Sequence, residues 1–274
     1  MTISPILKYP GAKALLAPHI LRYLPASAHY GEPYFGSGAV FFNKKPSPHE
    51  IVNDLNGRLV GFFRMVRERG EELARLVELT PYSRAEYYES YTIADDPLED
   101  ARRFLVRSWM SHGFKTSGRT GWRNNGAVSL QPVTRLWNDV PMRIRATITR
   151  LKDAEIDCVP ALALIERYQV PDMLWYVDPP YVLSTRKGRK CYQHEMTDSE
   201  HLTLLDALDT TPAMVVLSGY RSALYDDRLA HWRRVETQAT SEKGGTRTEC
   251  LWMNAALQRR LSNGPLFDYL ETTL

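Results

Sequence analysis

Five apolar residues in a row, Met173-Leu174-Trp175-Tyr176-Val177, stop abruptly at Asp178-Pro179-Pro180-Tyr181. A run this short, apolar throughout rather than alternating, reads as a strand buried on both faces. Two consecutive prolines fix φ and withhold two N–H donors, so neither a helix nor a ladder continues through them. The chain is expected to leave a central strand in a rigid turn that presents one carboxylate, unpaired carbonyls and one aromatic ring. Open α/β sheets bind ligands at the carboxyl ends of their strands. A purely structural Pro-Pro turn is the alternative.

The rest of the chain fits around such a strand. His29 to Tyr34, Ile51 to Asp54, Ala213 to Leu217, Trp232 to Thr237 and Thr248 to Met253 read as further short strands. Leu59, Phe62, Phe63, Val66, Leu73, Leu76 and Val77 recur at helical spacing between Leu55 and Leu79. Ala39-Val40-Phe41-Phe42 is placed to open a helix. Thr197 to Leu208 reads as a helix capped by Thr197 or Asp198. Short apolar strands alternating with helices predict an α/β fold: a mostly parallel sheet covered on both faces.

Three other segments are candidates for chemistry. Glu32-Pro33-Tyr34-Phe35-Gly36-Ser37-Gly38 follows a strand, and its glycines let a ligand approach the backbone. It has neither the Lys of a phosphate-cradling loop nor the GxGxxG spacing, and an ordinary strand–helix turn is the alternative. Asp54, in Asn53-Asp54-Leu55-Asn56, follows the next strand. It suits the two hydroxyls of a ribose, or equally a helix N-cap. Lys8-Tyr9-Pro10-Gly11-Ala12-Lys13 sets two cations around a turn, as an anion site or a solvated leader.

Charge is unevenly spread. Residues 101–150 hold ten Lys or Arg against one acid, Asp139, in a chain whose net charge is only +3. That pattern predicts a polyanion surface, or else a solvated helix face. Within it, residues 113–126 carry four glycines and two asparagines beside Lys115, Arg119, Trp122, Arg123, Asn124 and Asn125. This composition favours a hairpin or loop and suits a nucleic-acid groove. Cys158, Cys191 and Cys250 are far apart and lack metal-ligand spacing, so free thiols and no metal are expected. No apolar run approaches the roughly 18 residues of a membrane span, and the N-terminus lacks a leader pattern, so a cytoplasmic protein without membrane partners is expected.

Together and in this order, the four motifs resemble Dam-like DNA adenine-N6 methyltransferases. The closing Arg247-Thr248-Glu249-Cys250-Leu251-Trp252-Met253-Asn254 and the stretch Tyr192 to Thr197 share the likeness, the latter with phage-borne members. The resemblance implies a Rossmann-like sheet with helices on both faces. It also implies an inserted, mainly helical target-recognition domain over residues 57–155, carrying a hairpin, between catalytic parts 1–56 and 156–274. S-adenosylmethionine would be the cofactor and double-stranded DNA the partner. Tyr9 and Lys13 would contact the cofactor. Glu32, Pro33, Tyr34, Gly36, Ser37 and Gly38 would wrap its methionine portion, and Asp54 would hold its ribose. Asp178 and the Pro179 carbonyl would accept hydrogen bonds from the target amine, with Pro180 stiffening the turn and Tyr181 stacking on a flipped-out base. Lys8 and the Lys115 to Asn125 hairpin would meet the DNA. An N4-cytosine enzyme, an RNA or protein-amide methyltransferase, a catalytically silent DNA-binding relative and a nucleotide-dependent oxidoreductase are the competing readings.

Overall fold

The computed structural model describes residues 3–124, 132–186, 190–240 and 246–262. Its strands are β1 (His29–Glu32), β2 (His49–Asn53), β3 (Ala154–Asp157), β4 (Met173–Val177), β5 (Met214–Gly219), β6 (Arg233–Thr240) and β7 (Thr246–Met253). They form one sheet in the order β3-β2-β1-β4-β5-β7-β6. The strands β3 to β5 of that order run parallel, and β7 is antiparallel to both β5 and β6. β4 occupies the expected Met173–Val177 and is buried at every position. β1 stops at Glu32 rather than Tyr34, because Pro33 has no N–H to donate. β3 is an unexpected strand. It lies at the sheet edge with only Ala154 buried, so its sequence carries no apolar signal.

The helices are α1 (Ala17–Ile20), α2 (Gly57–Leu79), α3 (Arg84–Glu89), α4 (Pro97–Met110), α5 (Val133–Asn138), α6 (Val140–Leu151), α7 (Ala161–Arg167), α8 (Asp198–Thr210), α9 (Ala223–Arg228) and α10 (Ala255–Ser262). Thr197 caps α8 in a capping box with Glu200, each side chain bonding the other's backbone N–H. The helix expected from Ala39 is a single 3₁₀ turn, Phe41–Asn43. Gly38 enters it at φ +67°, Asn43 Nδ2 donates back to the Ala39 carbonyl at 2.9 Å, and the chain is extended again by Lys44. The β1–β2 connection therefore packs Phe41 and Phe42 as buried side chains without an α-helix.

Alternation along the strands sorts the core into two layers. Tyr30, Val52, Leu174, Tyr176, Val216, Leu251 and Met253 face a layer formed with α2, α4, α6 and α10. Ile51, Met173, Trp175, Val177, Val215, Leu217 and Trp252 face α7, α8 and α9. Gly31 makes the second layer possible, since a Cβ there would sit 2.1 Å from Trp175 Cζ3. α2 is kinked at Arg69, and the adjoining Gly70 lies against Ile148 of α6. The helices of the basic segment thus share one core with the sheet. No helix among the described residues is long and apolar enough to cross a membrane.

Candidate active site at the carboxyl edge of the sheet

The period of two carries on where the helices no longer cover the first face. Two residues beyond Tyr30 comes Glu32, two beyond Tyr176 comes Asp178, and two beyond Val216 comes Ser218. β7 runs the other way, so its early residue Glu249, two before Leu251, arrives at the same edge. Carried by four strands that are far apart in sequence, these polar groups meet along one rim.

The turn after β1 is pinned from below. Asn53 Nδ2 donates to the Pro33 carbonyl at 2.9 Å and the Val159 carbonyl at 3.0 Å, while its Oδ1 accepts the Val159 N–H. Asp54 accepts the Gly36 N–H at 3.0 Å through Oδ2 and the Asn56 N–H at 2.9 Å through Oδ1. Asp54 is not the helix cap; Asn56 is, accepting from Arg58 and Leu59 at the start of α2. Gly36, at φ +50°, gives the turn a left-handed residue that favours glycine. Burial raises the Asp54 carboxyl. Burial also pushes Glu32 up to about 8, although the Tyr30 hydroxyl donates to it at 2.7 Å.

Asp178 stands beside this turn. Lys13, reaching in from the N-terminal segment, places Nζ 3.0 Å from Asp178 Oδ2 and donates to the Gly11 carbonyl at 2.8 Å. The same ammonium lies 4.7 Å from the centroid of the Tyr181 ring. Asp178 Oδ1 is buried and has no partner among the described residues, as is true of the Tyr176 hydroxyl. Burial pushes the Asp178 carboxyl up to about 6, against the pull of Lys13. The Tyr181 hydroxyl donates to Glu249 Oε2 at 2.6 Å and lies 3.1 Å from Ser218 Oγ.

A cleft of about 220 Å³ opens over these groups. Tyr9, Lys13, Glu32, Pro33, Tyr34, Gly36, Ser37, Asp54, Asp178 and Pro180 line it, whereas Gly38, Pro179 and Tyr181 do not. Tyr192 to Met196 add a further wall, and the Tyr192 hydroxyl donates to the Pro10 carbonyl at 3.1 Å. Glu249, Ser218 and Tyr176 belong to the site but were not singled out from the sequence. Their signal was the strand alternation itself. Among the described residues no three His, Cys, Asp or Glu side chains cluster as a metal site.

The residues expected to meet DNA divide. Among the described residues the expected hairpin shows one antiparallel bridge, Ser111 with Trp122, closing an irregular loop. Arg119 and Asn124 are exposed, with the Arg119 guanidinium 5.1 Å from the Tyr91 ring centroid. Lys115 and Arg123 are half-buried. Trp122 is also half-buried, between Tyr82 and the Arg84 guanidinium. Lys8 lays its ammonium over Trp109, 4.3 Å from the centroid. Asn125 lies outside the described residues. The loop is tied to the cleft wall: the Thr116 N–H donates to the Cys191 carbonyl at 2.9 Å, and Thr116 Oγ1 accepts the Gln193 N–H at 2.8 Å. Much of the basic charge around it is paired with acids. Arg102 and Arg103 share Glu99, Arg145 pairs with Glu71, and Arg150 pairs with the buried Glu50.

Known proteins resemble this chain along most of its length. A type II methyltransferase of Lactococcus lactis subsp. cremoris, M1.LlaDCHI, is 27% identical over 264 residues, covering 89% of this chain and 90% of that protein. The DNA adenine methylase of Salmonella typhi is 26% identical over 256 residues, covering 88% and 90%. That of Escherichia coli strain K12 is 33% identical over 106 residues, covering 36% and 38%. The sequence model of one family matches residues 9–240, the span that holds Lys13, Glu32, Asp54 and Asp178-Pro179-Pro180-Tyr181, and by that match the chain belongs to the D12 class N6 adenine-specific DNA methyltransferases.

Proposed function

We propose that the methyl group is taken from S-adenosylmethionine and delivered to N6 of an adenine turned out of double-stranded DNA, with Asp178 as the group that orients the amine. Adenine-N6 methylation of DNA is the activity of the family. The observation that carries the assignment is Asp178 itself. One carboxylate oxygen is held by Lys13, and the other is buried and unpartnered at the end of the central strand. A buried oxygen left in that state costs about 1–3 kcal/mol, which a donor from a bound base offsets.

Adenine N6 is a weak nucleophile because its lone pair is delocalised into the ring. Asp178 Oδ1 accepts one amine N–H and the Pro179 carbonyl accepts the other, which favours a pyramidal nitrogen with its lone pair free. The gain is orientation and fixed electrostatics in a site shielded from water. A carboxyl raised to about 6 is ionised at neutral pH, yet basic enough to take the amine proton as the new bond forms. The cleft lining supports the donor: Glu32 would take its ammonium, Asp54 its ribose, and Tyr9 and Tyr34 would offer apolar and aromatic surface. When bound, S-adenosylmethionine supplies an electrophilic methyl on a sulfonium. The base must leave the duplex to reach Asp178, at a cost of a few kcal/mol, of which stacking on Tyr181 returns about 1–3.

Mass spectrometry of nucleosides from unmethylated plasmid DNA, incubated with protein and S-adenosylmethionine, tests this. N6-methyladenine is expected with the wild type and none with Asp178→Ala. Full activity in that variant sinks the assignment of Asp178, and N4-methylcytosine in its place sinks the choice of base.

A further inference from the structure

We infer that Glu249 is a positioning residue for methyl transfer: it fixes the Tyr181 ring as a rigid face for the target base. The inference rests on the reading of Tyr181 as the stacking platform. Glu249 is only 8% exposed, and a buried carboxylate is costly unless paired. An apolar side chain at this strand position would continue the Leu251 and Met253 face without that cost. The partner it takes is the Tyr181 hydroxyl, which donates to it at 2.6 Å in a charge-assisted bond.

Tyr181 is then held at three points. Its hydroxyl is fixed by Glu249, with Ser218 Oγ 3.1 Å away. Its ring meets Tyr220 edge-on, with centroids 4.5 Å apart and planes at 75°. Lys13, the cation that also holds Asp178, sits over the ring. A phenol that donates to a carboxylate has a more electron-rich ring, and this favours the ammonium above it. Glu249 thereby sets the angle between the platform and the carboxylate that receives the amine. Stacking and in-line attack both depend on that angle.

The test uses the full chain and a short duplex carrying the methylation site mapped on plasmid DNA. 2-Aminopurine replaces the target adenine for fluorescence, and adenine is kept for single-turnover rates. Glu249→Ala is expected to lower the single-turnover rate about tenfold, the scale of a displaced reacting group, and to brighten bound 2-aminopurine. Binding of S-adenosylhomocysteine stays unchanged. Glu249→Gln, which still accepts the hydroxyl, restores the rate to within about twofold if position rather than chemistry is at stake. Tyr181→Phe keeps the ring without its tether and must lose as much as Glu249→Ala. It carries the test alone if the alanine variant does not fold. Wild-type rate and emission in Glu249→Ala or Tyr181→Phe, beside a loss in Tyr181→Ala, overturn the inference alone. Wild-type emission in Tyr181→Ala overturns the platform reading, and the inference with it.

Discussion

Replacing Lys13 by methionine removes the charge from the ion pair with Asp178 but keeps most of the side-chain volume. Two unit charges 3.0 Å apart attract by about 1.4 kcal/mol in water and about 5.5 at an effective dielectric of 20. At about 1.36 kcal/mol per pKa unit, losing that attraction raises the Asp178 carboxyl by roughly one to four units. One nearby charge usually accounts for one to three, so two is the working figure. The carboxyl then moves from about 6 to about 8. Asp178 accepts the amine N–H only when ionised, so activity rises with pH through its pKa. At pH 7 the ionised fraction falls from about nine-tenths to about one-tenth, and the rate falls by about ninefold. At pH 9 most of the loss is recovered. The assay is kcat against pH from 5 to 9.5, by transfer of a radiolabelled methyl group with cofactor and duplex both saturating. Loss of the cation over the Tyr181 ring lowers the whole curve without moving its acid limb. A profile lowered uniformly, with the limb still near pH 6, would refute the claim that Lys13 sets the ionisation of Asp178.

Two further outcomes follow from particular contacts. Glu32 holds its proton to about 8 in the folded chain, against an ordinary 4.5. Its contribution to stability is thus full below pH 4.5 and lost as pH rises to about 8. Glu32→Gln should abolish a fall of a few kcal/mol across that window, read from urea midpoints at a series of pH values. Gly31→Ala drives a methyl group into Trp175 and Met173, whose atoms lie 2.1 and 2.6 Å from it. Overpacking there should cost about 1–3 kcal/mol or more, visible as a lower thermal midpoint, and Gly31→Ala with Trp175→Phe should recover part of it.

How much was legible depended on whether the signal was local. The apolar run ending at Asp178 gave both a central strand and a site residue, because the two prolines announce the strand exit within four residues. Glu32, Gly36 and Asp54 were legible as separate candidates, and the fold then joined Asp54 to Gly36 through a backbone N–H. Lys13 stood out as one of two cations around a turn and, through the resemblance, as a cofactor contact, but not as a partner of Asp178. Its partner is 165 positions away, and nothing in the sequence marks that pair. Glu249 was hidden differently: β7 reverses the sheet, so a residue near the start of a strand lands beside residues at the ends of others. Counting charge by window overstates the free charge of the basic segment, because it ignores partners outside it. Glu50, Glu71, Glu86 and Glu89 all lie before residue 101 and take up four of its arginines.

The reversal of β7 also makes the two halves of the chain unequal as points of attachment. After Met253 the backbone emerges on the underside of the sheet. There Asn254 bonds to Ala213 and Val215, at the entry to β5, and α10 begins. Residues Tyr9 to Lys13, by contrast, line the cleft itself. A fluorophore or surface anchor joined through α10 therefore sits at the end of the sheet opposite the cleft.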